Sequence, residues 1–135
     1  MLELLWFANQ SKAQEVVQNG HEYPIIYRNG DEFKVYKDNH GAPVACRKKI
    51  KLKLNELTLN PGDILYLYTD GFTEATDKDL KMFGHERMLD VLNDNMNESV
   101  NEMDKAVRGA ISEFVGDAEQ FDDITSFVLR YHGSL

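Results

Sequence analysis

Five consecutive apolar residues, Ile64–Tyr68 (ILYLY), stand between two groups of turn formers, Leu59-Asn60-Pro61-Gly62-Asp63 before them and Thr69-Asp70-Gly71 after them. A continuous apolar run of this length, bounded in this way, reads as a strand covered on both faces. The flanking sequence supplies elements that could cover it. Leu2–Ala8 is an apolar run of strand length. Tyr23–Arg28 (YPIIYR) and Glu32–Lys37 (EFKVYK) flank Asn29-Gly30, a dipeptide that tolerates positive φ at both central positions of a tight hairpin turn. Ile50–Leu54 (IKLKL) alternates strictly, with Ile50, Leu52 and Leu54 on one face and Lys51 and Lys53 on the other.

The second half has a helical rhythm. Phe83-Gly84-His85-Glu86-Arg87 opens a segment that puts Met88, Leu89 and Leu92 on one face. Ser99 and Glu102 have capping-box spacing. Val100, Met103, Val107, Ala110, Ile111 and Phe114 then form one stripe, with Gly116 as its stop. A last strand, Ile124–Tyr131 (ITSFVLRY), follows Phe121-Asp122-Asp123. Strands, two helices and a strand predict an α+β fold with a largely antiparallel sheet.

Composition narrows the class. The chain has 135 residues, 42% hydrophobic and 28% charged, which suits one globular domain. No apolar run approaches the roughly 20 residues of a membrane-spanning helix, so no membrane partner is expected. Met1–Ala8 lacks a basic flank and is interrupted by Glu3, unlike a secretion signal. The single cysteine, Cys46, excludes an internal disulfide and a multi-cysteine zinc site, and fits a cytoplasmic location. A net charge of −8 argues against nucleic acid as a partner.

The chemistry is expected at the strand ends. Asp70 closes one apolar strand and Asp122-Asp123 open another. If those strands pair antiparallel, the end of one lies beside the start of the other, about 5 Å away. Clustered carboxylates must be protonated, paired with cations or bound to metal. Oxygen donors without His or Cys favour Mg²⁺, Mn²⁺ or Ca²⁺. Gly71 lets the backbone pass close to an ion or substrate. Spacing alone leaves ordinary turn chemistry open as the other reading of these aspartates.

The wording of these segments adds a family resemblance. Asn60–Ala75 (NPGDILYLYTDGFTEA) resembles the "L-x-PGD-x-L-x-LYTDG-x-TEA" stretch of the metal-dependent protein serine/threonine phosphatases (PPM, or type 2C), in the branch of stage II sporulation protein E and related sigma-factor regulators. Phe83–Arg87 is similar to the "FG-x-ER" of that branch, Asp122–Thr125 to its "DDIT", and Asn19–Arg28 (NGHEYPIIYR) to its "NAGH-x-P-x-LLYR". The likeness runs from about residue 4 to 131. It implies a β-sandwich of two antiparallel sheets flanked by helices, with two Mn²⁺ or Mg²⁺ ions bridged by carboxylates and a metal-bound water that attacks phosphoserine or phosphothreonine. By position, Asp70 and Asp122 match metal ligands that act through that water. Asp123 is a further candidate ligand, and Gly71 and His21 are candidates for shaping the substrate site.

The resemblance also implies a departure. The family's "GD-x-x-D" and "D-x-x-G-H-G" motifs are missing from this chain, so residues 1–135 are expected to be the C-terminal part of a phosphatase domain. An incomplete sheet exposes strand edges, which predicts a homodimer or completion by another chain. The expected partner is a phosphoprotein of the anti-anti-sigma type. The alternative is a non-catalytic binding or dimerisation module of the same fold.

Other residues attract blander readings. His21 suits a hydrogen bond in its turn as well as a phosphate contact. His40, His85 and His132 have no metal spacing. Arg47-Lys48-Lys49 with Lys51 and Lys53 could steer an acidic phosphoprotein, or could be solvated charges. Cys46 has no evident base beside it. Trp6, Tyr66 and Tyr68 read as core.

Overall fold

The computed structural model describes residues 3–9, 12–18, 23–37, 57–118 and 124–133. Strand β1 is Glu3–Asn9, β2 Lys12–Gln18, β3 Ile25–Tyr27, β4 Phe33–Val35, β5 Leu57–Thr58 and β6 Ile64–Tyr68. Two helices follow, α1 at Gly84–Asp94 and α2 at Val100–Val115, and then β7 at Ser126–Arg130. The strands form two antiparallel sheets, β1-β2-β5 and β4-β3-β6-β7.

All five residues of β6 are buried, and the alternation of its side chains divides them between two cores. Ile64, Tyr66 and Tyr68 join Ile25 and Phe33 under Met88 and Leu92 of α1 and Met103, Val107 and Ile111 of α2. Leu65 and Leu67 face the other way, with Ile26, Phe127 and Leu129, and meet Leu57 of the three-stranded sheet. The strand is thus sandwiched between a helical layer and a second sheet, as its unbroken apolarity requires. Full burial of each such side chain contributes about 1.5–3 kcal/mol.

The helices form where their signals place them. Ser99 accepts a hydrogen bond from the Glu102 amide at 3.2 Å, while the Glu102 carboxylate accepts from Lys105 at 2.8 Å. Gly116 caps α2. Phe83 is buried against Phe114 of α2 with ring centroids 5.6 Å apart. Arg87 lies 4.7 Å over the same Phe114 ring and donates to the Phe83 carbonyl at 2.9 Å. The Phe83–Arg87 motif therefore fastens the start of α1 to the end of α2.

Two expectations change. The connection after β3 is five residues long, since Tyr27 pairs with Phe33, and only Gly30 takes a positive φ, of 86°. Asp31 N–H closes the turn onto the Arg28 carbonyl at 2.9 Å. Asn29 has ordinary backbone geometry there because its amide is committed to Asp63. Strand β2 went unread, because KAQEVVQ has neither clean alternation nor an apolar run. It forms by register with β1, Asn9 pairing with Lys12 across a two-residue connection. The expected strand Ile50–Leu54 and the basic run from Arg47 to Lys53 lie outside the described residues, as does Cys46.

Candidate functional site

The rim that carries Asp70 is built by strand pairing. β6 and β7 pair antiparallel from Ile64↔Arg130 to Tyr68↔Ser126. One residue further, Thr69 N–H donates to the Thr125 carbonyl at 3.0 Å, and Thr125 N–H donates to the Thr69 hydroxyl oxygen at 3.1 Å. The end of β6 is thereby locked to the start of β7.

After Thr69 the chain makes a single 3₁₀ turn, Asp70–Phe72. Phe72 is fully buried, edge-on to Tyr66 and Tyr68 at 6.2 and 6.1 Å, and plugs this turn into the helical core. Asp70 stays half-buried at the rim. Its carbonyl accepts from the amides of Thr73 (3.0 Å) and Glu74 (2.8 Å), and its Oδ1 accepts from Gly71 N–H at 3.1 Å. Gly71 is buried with φ outside the left-handed region, so the turn does not need glycine for its backbone angle. The loop that follows returns at once, with Phe83 N–H bonded to Ala75 and Gly84 N–H to Thr73.

Asp70 and Gly71 are the sequence-derived candidates within the described residues. Asp122, Asp123 and His21 lie outside them. Among the described residues no group of three His, Cys, Asp or Glu side chains converges. His85 packs against Tyr68 at 6.2 Å. Tyr66 and Tyr68 are core, as expected.

Sequence reasoning missed the polar cluster beneath this rim. Asp104 of α2 accepts from the Tyr66 hydroxyl at 2.8 Å, the Ser126 hydroxyl at 2.5 Å and Arg108 at 2.7 Å. Burial raises its carboxyl, but these three donors outweigh burial and hold it below the usual range. The Tyr66 phenol is pushed far up by burial and by the neighbouring carboxylate. The available signal was an Asp and an Arg four residues apart, beside an otherwise apolar helical stripe.

Comparison with known proteins fits this architecture. The family profile of stage II sporulation protein E (SpoIIE) matches residues 4–132. The chain belongs to the SpoIIE family. Its SpoIIE region is 29% identical over 109 residues to Protein IcfG of Synechocystis, covering 81% of this chain and 17% of that protein. The SiaA-PP2C domain of Pseudomonas aeruginosa superimposes with a TM-score of 0.62 at 29% identity, over 82% of this chain and 44% of that one. The phosphatase domain of SpoIIE from Bacillus subtilis gives 0.60 at 16% identity, over 99% and 60%. The α+β antiparallel fold is therefore that of PP2C-type phosphatase domains, and the chain spans part of each relative. No helix among the described residues is long and apolar enough to cross a membrane.

Proposed function

We propose that this chain is the C-terminal part of a metal-dependent protein serine/threonine phosphatase domain of the sigma-factor regulatory type. The observation that carries the reading is the Thr69–Thr125 lock, which sets the Asp70 turn beside the strand entered from Asp122-Asp123. Asp122 is three residues from Thr125, a reach of at most about 11 Å. In this reading Asp70 and Asp122 hold a divalent cation, with Asp123 as a further ligand, and Gly71 and His21 shape the substrate site.

The donor set suits the ion. A half-buried carboxylate at the rim, with two more acidic residues within three positions of Thr125, offers hard oxygen donors of the kind Mn²⁺ and Mg²⁺ prefer. Such a cation, when bound, acidifies a coordinated water and offsets charge on phosphoryl oxygens. The chain's own part is to fix the carboxylates at the rim and to keep the turn anchored through Phe72. The substrate class is a phosphoserine or phosphothreonine protein of the anti-anti-sigma type. Among the described residues β4 and β7 are the edges of the four-stranded sheet, and β4 is blunted by Asn93, whose side-chain oxygen accepts from Phe33 N–H at 2.7 Å. Self-association is therefore proposed along β7, and a mass in solution of two chains supports it against one.

The test is phosphate release from a phosphoserine peptide with Mn²⁺ by the intact domain of which this chain is the C-terminal part. The expected result is turnover that stops with EDTA and falls to background in Asp70→Ala. Metal-independent turnover, or none from the wild type, contradicts the reading, and the latter leaves the non-catalytic module of the same fold.

A further inference from the structure

The Asp104–Arg108 pair does more than decorate α2. An exposed i,i+4 ion pair is worth little to a helix, but this one is tied into several other elements. Arg108 Nε bonds Asp104 Oδ2 at 2.7 Å, Nη2 donates to the Ser126 hydroxyl at 2.6 Å, and Nη1 donates to the Ile124 carbonyl at 3.2 Å. The guanidinium carbon lies 5.3 Å from the centre of the Phe72 ring. Asp104 in turn accepts from Tyr66 of β6 and Ser126 of β7.

Both segments that carry the candidate metal ligands are thus touched by one guanidinium. Phe72 is two residues beyond Asp70 in the same 3₁₀ turn, and Ile124 immediately follows Asp123. The guanidinium reaches three acceptors while its carbon lies over the ring, an arrangement that a lysine cannot copy. Asp104 orients the fork, and the Tyr66 and Ser126 hydroxyls orient Asp104.

We propose that Arg108 is a positioning residue that holds the Asp70 turn and the segment entering β7 at Ile124 at one mutual spacing, with Asp104 as its brace. Its consequence for metal affinity rests on the phosphatase reading. The bracket itself does not.

The test uses wild type, Arg108→Ala, Arg108→Lys and the double variant Asp104→Asn/Arg108→Met. The double variant removes both charges together and keeps a side-chain acceptor for Tyr66 and Ser126, so it stays folded if the single change does not. Amide exchange is followed at Thr69, Phe72 and Thr125 on the rim and at Leu65 in the sheet centre. Mn²⁺ affinity is read from line broadening at Gly71. The expected result is rim exchange faster by about tenfold in all three variants with Leu65 unchanged, and Mn²⁺ binding weakened by about 10- to 100-fold, the loss usual for the supports of metal ligands.

Unchanged rim exchange overturns the bracket, and so does an equal rise at Leu65, because that is a general loss of structure. Loosened rim amides with unchanged Mn²⁺ affinity overturn the positioning role. Restoration of both readouts by Arg108→Lys does too, because charge alone would then suffice. If wild type shows no Mn²⁺ binding that depends on Asp70 while the rim loosens as expected, the phosphatase reading fails and the bracket stands.

Discussion

Strand β6 begins after Gly62-Asp63 and ends before Asp70-Gly71, so one strand carries two Asp–Gly pairs in opposite order, with different fates. Asp63 is 1% exposed. Its carboxylate accepts from the amides of Asn29 and Asn60, each at 2.9 Å, and from Arg28 at 2.6 Å. Burial works against the charge, but these donors hold its pKa below the usual carboxylate range. Its backbone exchanges hydrogen bonds around Tyr131, with Gly62 N–H to the Tyr131 carbonyl at 2.7 Å and Tyr131 N–H to the Asp63 carbonyl at 2.9 Å. Asp70, at the other end, is half-buried in a turn anchored by its neighbour Phe72. The lesson is that an aspartate at a strand end becomes structural when the chain folds donors over it, whereas the Asp70 turn is fastened through its neighbour Phe72.

The largest effect expected from this contrast is in stability. Asp63→Ala orphans two backbone donors and a guanidinium and should cost about 3–5 kcal/mol, whereas Asp70→Ala should stay within about 1 kcal/mol of wild type. Urea unfolding of both decides it, and similar losses would erase the distinction. Next comes the glycine. Gly62 has φ +94°, and a Cβ there would sit 2.6 Å from Asn29 Nδ2, so Gly62→Ala should cost about 1–2 kcal/mol by the same measurement. Tyr66→Phe, which removes a donor from Asp104 below the Asp70 rim, should cost about 1 kcal/mol.

The smallest effect is in pH dependence. Asp63 and Asp104 both have folded pKa values below their unfolded ones. Their contributions are complete above the unfolded value of about 4 and are lost as pH falls through the folded values. Asp63→Asn should therefore lose less stability than wild type on acidification below about pH 4, although it starts lower. A parallel acid limb in the two proteins would show that Asp63 is not held as described.

The sequence made the fold legible wherever pattern and packing agree. Ile64–Tyr68 announced a doubly covered strand, Ser99 and Gly116 marked the ends of α2, and the antiparallel pairing of the Asp70 strand with the last strand, posed from the sequence as a condition, is met. What stayed hidden depends on partners remote in sequence. The strand Lys12–Gln18 is defined by its register with β1 and not by its own residues. Asp63 read as a turn residue because nothing local reveals that Arg28 and Asn29, more than 30 positions away, reach it. Asp104 and Arg108 carry no local sign of their role, because their acceptors and donors come from β6, β7 and the segment before β7. At the rim, Asp70 and Gly71 lie in the turn that follows β6, which Thr69 joins to Thr125 just before β7.

The most direct test is Mn²⁺ titration followed by broadening of assigned amide resonances. Asp63 and Asp70 lie seven positions apart across β6, at most about 23 Å at about 3.3 Å per residue, far enough to separate them. Amides of Asp70, Gly71 and residues 122–125 should broaden first, those of Gly62 and Asp63 should persist, and Asp70→Ala should abolish the early broadening. Broadening centred on Asp63, or spread over the acidic surface without dependence on Asp70, would contradict the assignment of the cation site to this rim.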